Sequence, residues 1–382
     1  MNLTRERPFT IIVVNGRLFA LTRKEVIMKS IGNEFWGMNE EDINKVTAKY
    51  SGYSIGRILS QGRDCYRLIT GKGEALARVS GKFRYSVESI SDYPAVGDYV
   101  LVDHIDDIHD NEFAVIHVVL ARKSVFLRKA AGTSRTEQVV AANIDTVFLC
   151  MALNKDYNLR RLERYLSIAW ESGATPVVVL TKTDLCDDLE IKRMEVETIA
   201  IGVDILETTA METDGIQSIL PYLQKGKTVA FIGSSGVGKS TLINRLMGGD
   251  ILATDGLRND DKGHHTTTHR ELLLLPDGAM VIDTPGMREL GMWDTAEGID
   301  RAFAEIEELA SQCRFHDCSH TSEPGCAVCK ALENGTLSKE RYLSYKKLKT
   351  ENAFLEDSEN YLATKEKKFK AIAKQNKRNR KK

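Results

Sequence analysis

Apolar and polar positions divide the chain into stretches of different period. Over residues 51–127 short alternating runs sit between glycine-bearing turns. The alternation predicts strands at Ser54–Leu59, Cys65–Thr70, Glu74–Ser80, Asp98–Asp103 and Glu112–Val119. Five short strands in such a stretch suit a small barrel of the OB type. Pro94-Ala95-Val96-Gly97-Asp98 reads as the turn entering the fourth strand. Ahead of the barrel, residues 1–50 form an N-terminal extension, in which Phe9–Ala20 predicts a hairpin about Asn15-Gly16. Residues 128–142 are polar and basic (Arg128, Lys129, Arg135) around Gly132 and read as a linker. From residue 143 the period changes again. Apolar runs at Ile144–Leu153, Pro176–Leu180, Val203–Glu207, Thr228–Ile232, Glu271–Leu275 and Met280–Ile282 are separated by helical stretches, Leu159–Ser172 among them. Continuous apolar runs mark strands buried on both faces, so a mostly parallel α/β sheet is expected. Beyond Asp294 the pattern is helical and cysteine-bearing, ending in a charged tail.

At 382 residues the chain has room for two or three domains. No apolar run approaches the ~20 residues of a membrane span. Met1–Phe9 carries charge where a secretory segment would be apolar, so a cytoplasmic protein without membrane contact is expected. The net charge of −1 covers an uneven distribution, because residues 365–382 hold ten Lys or Arg against Glu366 alone. The default reading of such a tail is a solvated one; the alternative is a contact to RNA phosphates, which an OB-like barrel in the same chain raises. The cysteines are uneven too. Cys313, Cys318, Cys326 and Cys329 fall within seventeen residues, which in a reducing compartment points to metal rather than disulfides.

The chemistry begins with Gly233-Ser234-Ser235-Gly236-Val237-Gly238-Lys239-Ser240-Thr241, a Walker A phosphate loop with an apolar strand before it and a helix after it. Its glycines let backbone amides approach phosphate oxygens, and the helix N-terminus adds positive potential. Lys239 is expected to reach the β- and γ-phosphates and Ser240 to ligate Mg²⁺. Asp283-Thr284-Pro285-Gly286 ends a strand downstream. Asp283 is expected to act on Mg²⁺ through water, and Gly286 to offer its amide to the γ-phosphate.

The base-recognition motif precedes the phosphate loop. Thr181-Lys182-Thr183-Asp184 fills the N-K-x-D slot with Thr in place of Asn. Asp184 can accept from guanine N1 and N2, donors that adenine lacks, while Lys182 packs its stem along the base. Thr208-Thr209-Ala210 fits the slot whose backbone amide meets guanine O6. Asn154-Lys155-Asp156-Tyr157 also follows a strand, but Tyr157 stands where the carboxylate is needed, so this segment reads as structural. Base motif before phosphate loop is the reverse of the order in Ras-type GTPases.

Between Walker A and Asp283 lies Gly263-His264-His265-Thr266-Thr267-Thr268-His269. Thr267 is the expected switch ligand to Mg²⁺, with Thr266 and Thr268 as alternatives. Met287 follows Gly286 where Ras-type enzymes carry a water-positioning Gln. His265, accepting from water through a ring nitrogen, is the candidate to take over that role.

Cys313-x4-Cys318-x-His320-x5-Cys326 offers three thiolates and an imidazole, a donor set suited to one tetrahedral structural Zn²⁺. Cys329 competes with Cys326 and His316 with His320 as ligands. Four protein ligands would close the coordination sphere, which disfavours a zinc hydrolase.

Taken together, these motifs resemble the ribosome small subunit-dependent GTPase A family. Pro94–Asp98 and Asn158-Leu159-Arg160-Arg161-Leu162-Glu163-Arg164-Tyr165 also resemble segments of it, and the likeness runs over roughly residues 50–345. The resemblance implies a multidomain α/β protein with an N-terminal OB-fold barrel (51–127), a linker (128–142), a circularly permuted P-loop GTPase domain (143–293), a helical zinc-binding domain (294–345) and a helical basic tail (346–382). It implies GTP hydrolysis to GDP and phosphate with Mg²⁺, stimulated by the small (30S) ribosomal subunit through its 16S rRNA, late in maturation of that subunit. It further implies zinc on Cys313, Cys318, His320 and Cys326; a monomer is expected. The alternative is an RNA-binding assembly factor that senses GTP with negligible hydrolysis. The permuted order places Met287–Trp293 directly between the γ-phosphate motif and the cysteine segment, so nucleotide state is expected to set the zinc domain's orientation.

Overall fold

The computed structural model describes residues 36–63, 65–103, 113–129, 137–154, 156–209, 212, 214–249, 270–283, 296–321 and 323–352, and the backbone of 9–14 and 17–22. They fall in two units. The first comprises Met1–Tyr157, Ser172–Glu195 and Gly202–Gly291; the second comprises Asn158–Glu171, Val196–Ile201 and Met292–Lys382.

In the first unit, β1 (Phe9–Val14) and β2 (Arg17–Thr22) pair antiparallel as the expected hairpin. Helix α1 (Glu40–Lys49) has no counterpart in the sequence reading. Asn39 caps it by accepting from the Asp42 amide at 2.8 Å, and three acidic residues in its first turn suit the helix dipole. Ile43, Val46 and Tyr50 return at helical spacing and pack on Ile55, Tyr99 and Leu101 of the barrel. The barrel strands are β3 (Ser54–Gln61), β4 (Tyr66–Thr70), β5 (Gly73–Val79), β6 (Tyr99–Asp103) and β7 (Ala114–Val119). They close in the order β3-β4-β5-β7-β6, with β6 returning to β3 and β5 parallel to β7. Ile58, Leu68, Ala77, Val100, Val102, Ala114 and Ile116 fill the interior from alternate positions. Helix α2 (Gly81–Ser86), capped by Ser80, sits between β5 and β6.

The stretch read as a linker is different. β8 (Val125–Lys129) and β9 (Glu137–Ala142) pair antiparallel, and Phe126 and Val139–Ala142 are buried. The polar residues noted in the sequence had masked a short pair of strands. The turn before β6 is locked against it: a Cβ on Gly97 (φ 90°) would lie 2.2 Å from the Ala142 carbonyl oxygen.

The α/β sheet runs β12 (Asp204–Glu207), β11 (Thr175–Thr181), β10 (Thr146–Ala152), β13 (Thr228–Ile232), β15 (Met280–Asp283), β14 (Glu271–Leu274). All neighbours are parallel except β14, which pairs antiparallel with β15 and meets β3 of the barrel at Glu271 and Ser60. Helices α3 (Leu159–Ser172), α4 (Leu189–Glu197) and α5 (Lys239–Met247) lie between its strands in sequence. Phe148, Val177, Val179, Val229, Phe231, Leu242 and Val281 are in its core.

Arg57 of β3 is only 2% exposed. Its guanidinium donates to the carbonyls of Trp36, Gly97 (3.2 Å) and Asn143 (3.2 Å) and to Thr228 Oγ1 (2.8 Å), touches Met280 Sδ and lies 4.8 Å from the Tyr99 ring centroid. These acceptors are all neutral, and they come from the barrel, its N-terminal flank, the residue after β9 and the first residues of β13 and β15. Arg57→Met keeps the length but takes the guanidinium from the buried Asn143 carbonyl and Thr228, while the Trp36 and Gly97 carbonyls keep Tyr99 and Asn143 as donors. A loss of about 3 kcal/mol in urea unfolding is expected; an unchanged midpoint would show that the apolar contacts alone hold this junction.

In the second unit, α6 (Ala296–Ala302), α7 (Ala304–Ser311), α8 (Ala327–Glu333) and a helix over residues 339–352 (α9) are joined by all of α3 but its last residue. Glu163 of α3 is fully buried and pairs with Arg341 of α9 at 3.0 Å. Among the described residues no helix is long and apolar enough to cross a membrane.

Candidate functional site

Among the described residues, parallel strands bring Thr181, Ile232 and Asp283 to their carboxyl ends. Ala152 of β10 is in register with Thr181 at the end of β11, and Leu149 with Ile232 at the end of β13. β13 runs parallel to β15, which ends at Asp283. The carboxyl ends of such strands are where α/β sheets bind ligands.

The phosphate loop follows β13. A Cβ on Gly233 would lie 2.6 Å from the Cys150 carbonyl oxygen, so only glycine fits. Gly236 (φ 73°) and Gly238 (φ 103°) take left-handed conformations that turn the chain into α5, whose first residues are Lys239, Ser240 and Thr241. Lys239 Nζ donates to the carbonyls of Gly233 and Ser234, both at 2.6 Å, which folds the ammonium over the loop. Ser235 and Gly236 are exposed, while Val237 is buried and anchors the loop in the core.

The base motif is bonded to this loop. Thr181, 3% exposed, donates through Oγ1 to the Val237 carbonyl at 2.7 Å, and Lys182, at φ 58°, donates from Nζ to the Gly236 carbonyl at 2.8 Å. The threonine in the asparagine slot therefore still fastens the motif to the phosphate loop. Thr183 donates to the Thr208 carbonyl at 3.2 Å. Asp184 Oδ1 accepts from Thr209 Oγ1 at 2.6 Å, which brings together the two segments expected to meet guanine. Arg245 of α5 donates to the carbonyls of Thr209 and Glu212 and holds that loop against the phosphate-loop helix. One contact was not foreseen. Asp156, in the segment read as structural, accepts from Ser234 Oγ of the phosphate loop. The available signal was its place at the end of β10, next to β13. Ala210, His265, Thr266, Thr267, Thr268, Gly286 and Met287 lie outside the described residues, as does residues 353–382 of the tail.

Cys313 follows α7, Cys318 and His320 lie on the next loop, and Cys326 is the N-cap of α8. One ligand atom from each lies within 4.8 Å of all the others. The Cys313 and Cys326 sulfurs are 3.8 Å apart, and they lie 3.6 and 3.5 Å from His320 Nδ1. A tetrahedron with bonds of ~2.3 Å to sulfur has edges of ~3.8 Å, so the cluster has the size of a zinc site. His316 and Cys329 are not among the four. Cys329 instead donates its backbone N–H to Cys326 Sγ at 3.3 Å. Burial pushes the Cys326 thiol up, but that N–H and the His320 ring bring it down to about 6. Glu323 accepts from the amides of Ser319 and Thr321 at 2.9 Å, and the Ser319 hydroxyl and these amides hold its carboxyl well below the usual range. Tyr342 of α9 donates to the His320 carbonyl at 3.1 Å. The loop is thus shaped by bonds other than those to a metal.

Residues 119–293 match the model of the RsgA GTPase family. The small ribosomal subunit biogenesis GTPase RsgA 2 of Lactiplantibacillus plantarum is 52% identical over 307 residues, 80% of this chain and 85% of that protein. The chain belongs to the RsgA GTPase family. It is a GTP-hydrolysing enzyme. An RsgA protein of Listeria innocua, also named a small ribosomal subunit biogenesis GTPase, is 47% identical over 79% of this chain and 84% of its own length. Among solved structures, YjeQ from Thermotoga maritima matches with a TM-score of 0.59 at 30% identity, covering 79% of this chain and 99% of that one. YloQ, described as a circularly permuted GTPase, matches with a TM-score of 0.56 at 25% identity, covering 79% and 96%. The family match over residues 119–293 spans both motifs whose order is inverted, Thr181–Asp184 and Gly233–Thr241.

Proposed function

We propose that this RsgA-family GTPase acts on the small ribosomal subunit late in its maturation, with hydrolysis stimulated by the subunit and contacts to its 16S rRNA. The bonding of Asp184 to Thr209 and of Thr181 and Lys182 to the phosphate loop carries the nucleotide part of this reading. The naming of relatives up to 52% identical as small ribosomal subunit biogenesis GTPases supports the partner. Asp184 selects guanine, Thr209 and Ala210 line the base, and residues 233–241 hold the phosphates. Ser240 and Thr267 would hold Mg²⁺, with Asp283 acting through water; when bound, it neutralises charge on the β- and γ-phosphates. Gly286 offers its amide to the γ-phosphate, and His265 orients the attacking water. Cys313, Cys318, His320 and Cys326 hold one structural Zn²⁺, for which the sulfur and nitrogen separations given above fit. The protein works as a cytoplasmic monomer.

The test is GTP turnover by the full chain with and without purified small subunits. Subunits are expected to raise kcat by ~10-fold or more. His265→Ala is expected to lose ~10²-fold of the stimulated rate, the scale of one general-base or water-positioning group. Turnover indifferent to subunits would overturn the proposal. No single-turnover phosphate release even with subunits would favour a GTP sensor.

A further inference from the structure

We propose that Asp156 is a positioning residue for the phosphate loop, and that helix α3 ties its position to the buried Glu163–Arg341 pair of the second unit. The inference rests on the reading of residues 233–241 as the phosphate site. At one end, Asp156 Oδ2 accepts from Ser234 Oγ, the second residue of that loop. Asp156 is not a loosely hung side chain. Its amide donates to Asn154 Oδ1 at 3.0 Å, and the next residue, Tyr157, donates from its hydroxyl to Glu195 at 2.7 Å. A carboxylate held there fixes the Ser234 hydroxyl, and through it the stretch whose carbonyls receive Lys239.

At the other end α3 is built into the second unit. Glu163 is fully buried and accepts from Arg341 at 3.0 Å, and also from Arg160 and the Ser344 hydroxyl. Arg341 is 5% exposed; it also pairs with Glu305, donates to the Ala302 carbonyl at 2.8 Å and lies 4.4 Å from the Phe303 ring centroid. Residue 298 must be glycine, since a Cβ would lie 2.6 Å from the Ser167 carbonyl oxygen of α3. A buried ion pair holds its geometry closely, because parting it strands a charge in the interior. Helix α3 therefore moves with its unit.

Only Tyr157 and Asn158 separate Asp156 from the first residue of α3, Leu159. Two intervening residues give at most ~10 Å of extended chain, and Asn158 is spent as a cap, its Oδ1 accepting from the Arg161 amide at 3.0 Å. This short connection is the proposed route by which displacement of α3 reaches Asp156, and any effect of the phosphate loop on α3 then has equal coupling. This route is separate from the Met287–Trp293 connection that the motif order suggests.

The test measures affinity for a fluorescent GDP analogue on the full chain. Asp156→Ala and Ser234→Ala are each expected to weaken binding ~5-fold, at the lower end of typical coupling, with the double variant no worse than either. Arg341→Met alone leaves the buried Glu163 charge to Arg160 and Ser344, so the paired variant Glu163→Gln/Arg341→Met, which removes both charges of the pair, is used. It is expected to shift affinity in the wild-type background and to have no effect when Asp156 is already Ala. Hydrogen exchange supplies a readout that a purely structural role would not move: GDP should change protection of residues 159–171 in the wild type and leave it unchanged in Asp156→Ala. Effects that multiply independently, or an α3 that ignores GDP in the wild type, overturn the coupling. Absence of GDP binding by the wild type removes the site reading itself, which is a distinguishable result.

Discussion

Lys239→Ala is expected to lower kcat/KM for GTP by ~10²–10³-fold, or about 3–4 kcal/mol of transition-state stabilisation. The ammonium sits where a phosphate loop concentrates its positive charge, with Nζ 2.6 Å from two loop carbonyls. In the transition state negative charge spreads over the transferred phosphoryl group, and a fixed cation gains more there than in the ground state. The loss is expected in kcat as well as in KM. Folding should be spared, because Lys239 is the first residue of α5 and the helix is secured by buried Leu242, Ile243 and Asn244. Alanine is also the residue helices tolerate best. Circular dichroism and thermal unfolding close to wild type, with turnover lost, is the expected pair of observations. Lys239→Arg distinguishes charge from geometry, since a planar guanidinium cannot place a point charge at the same spot. A variant retaining a tenth of wild-type kcat/KM would move the catalytic charge elsewhere.

What the sequence made legible follows the range of the interaction. The barrel strands lie within two residues of the alternating runs, and Leu159–Ser172 is a helix over the stretch its spacing predicts, because both patterns are local. The phosphate loop was legible because its glycines answer a local backbone demand. Helix α1 escaped notice although Asn39, Glu40, Glu41 and Asp42 form a helix start and Ile43, Val46 and Tyr50 a stripe; the segment's overall polarity hid both. The β8–β9 pair escaped for a similar reason, its basic residues reading as linker. Other features are non-local and carried no sequence signal. The bonds of Thr181 to Val237 and of Asp156 to Ser234 join residues 56 and 78 positions apart, and the Glu163–Arg341 pair spans 178. Only the fold brings such pairs together, and from spacing alone α3 reads as one more helix of the α/β sheet. The Cys/His cluster lies between these extremes. Its four residues were legible from donor chemistry and the resemblance, and the fold brings one ligand atom of each within 4.8 Å of the others.

Removing a single thiolate from that cluster is the second large effect expected. Cys313→Ser should abolish binding of the one zinc proposed per chain and unfold the segment around it. Residues 314–317 are exposed and the loop to Gly325 buries little apolar surface, so hydrophobic burial cannot hold it. Structural zinc sites contribute ~10–16 kcal/mol of apparent binding free energy, expressed as folding of the segment. Metal analysis should give about one zinc per wild-type chain and none for the variant. Hydrogen-exchange protection should fall over residues 313–326 and persist over α8, which buries Val328 and Ala331, and over 228–247, in the other unit. Cys326 allows a sharper experiment because it has two roles, capping α8 and offering its sulfur to the cluster. Serine is itself a good helix cap, so Cys326→Ser separates them: metal lost with α8 still startable means the ligand role dominates. Cys329→Ser should retain zinc, since its contact with Cys326 is made by the backbone N–H, which the substitution preserves. Cobalt(II) in place of zinc reports the donor set directly. A three-thiolate visible absorption should survive Cys329→Ser and vanish with Cys318→Ser; the opposite pattern would assign the fourth ligand to Cys329.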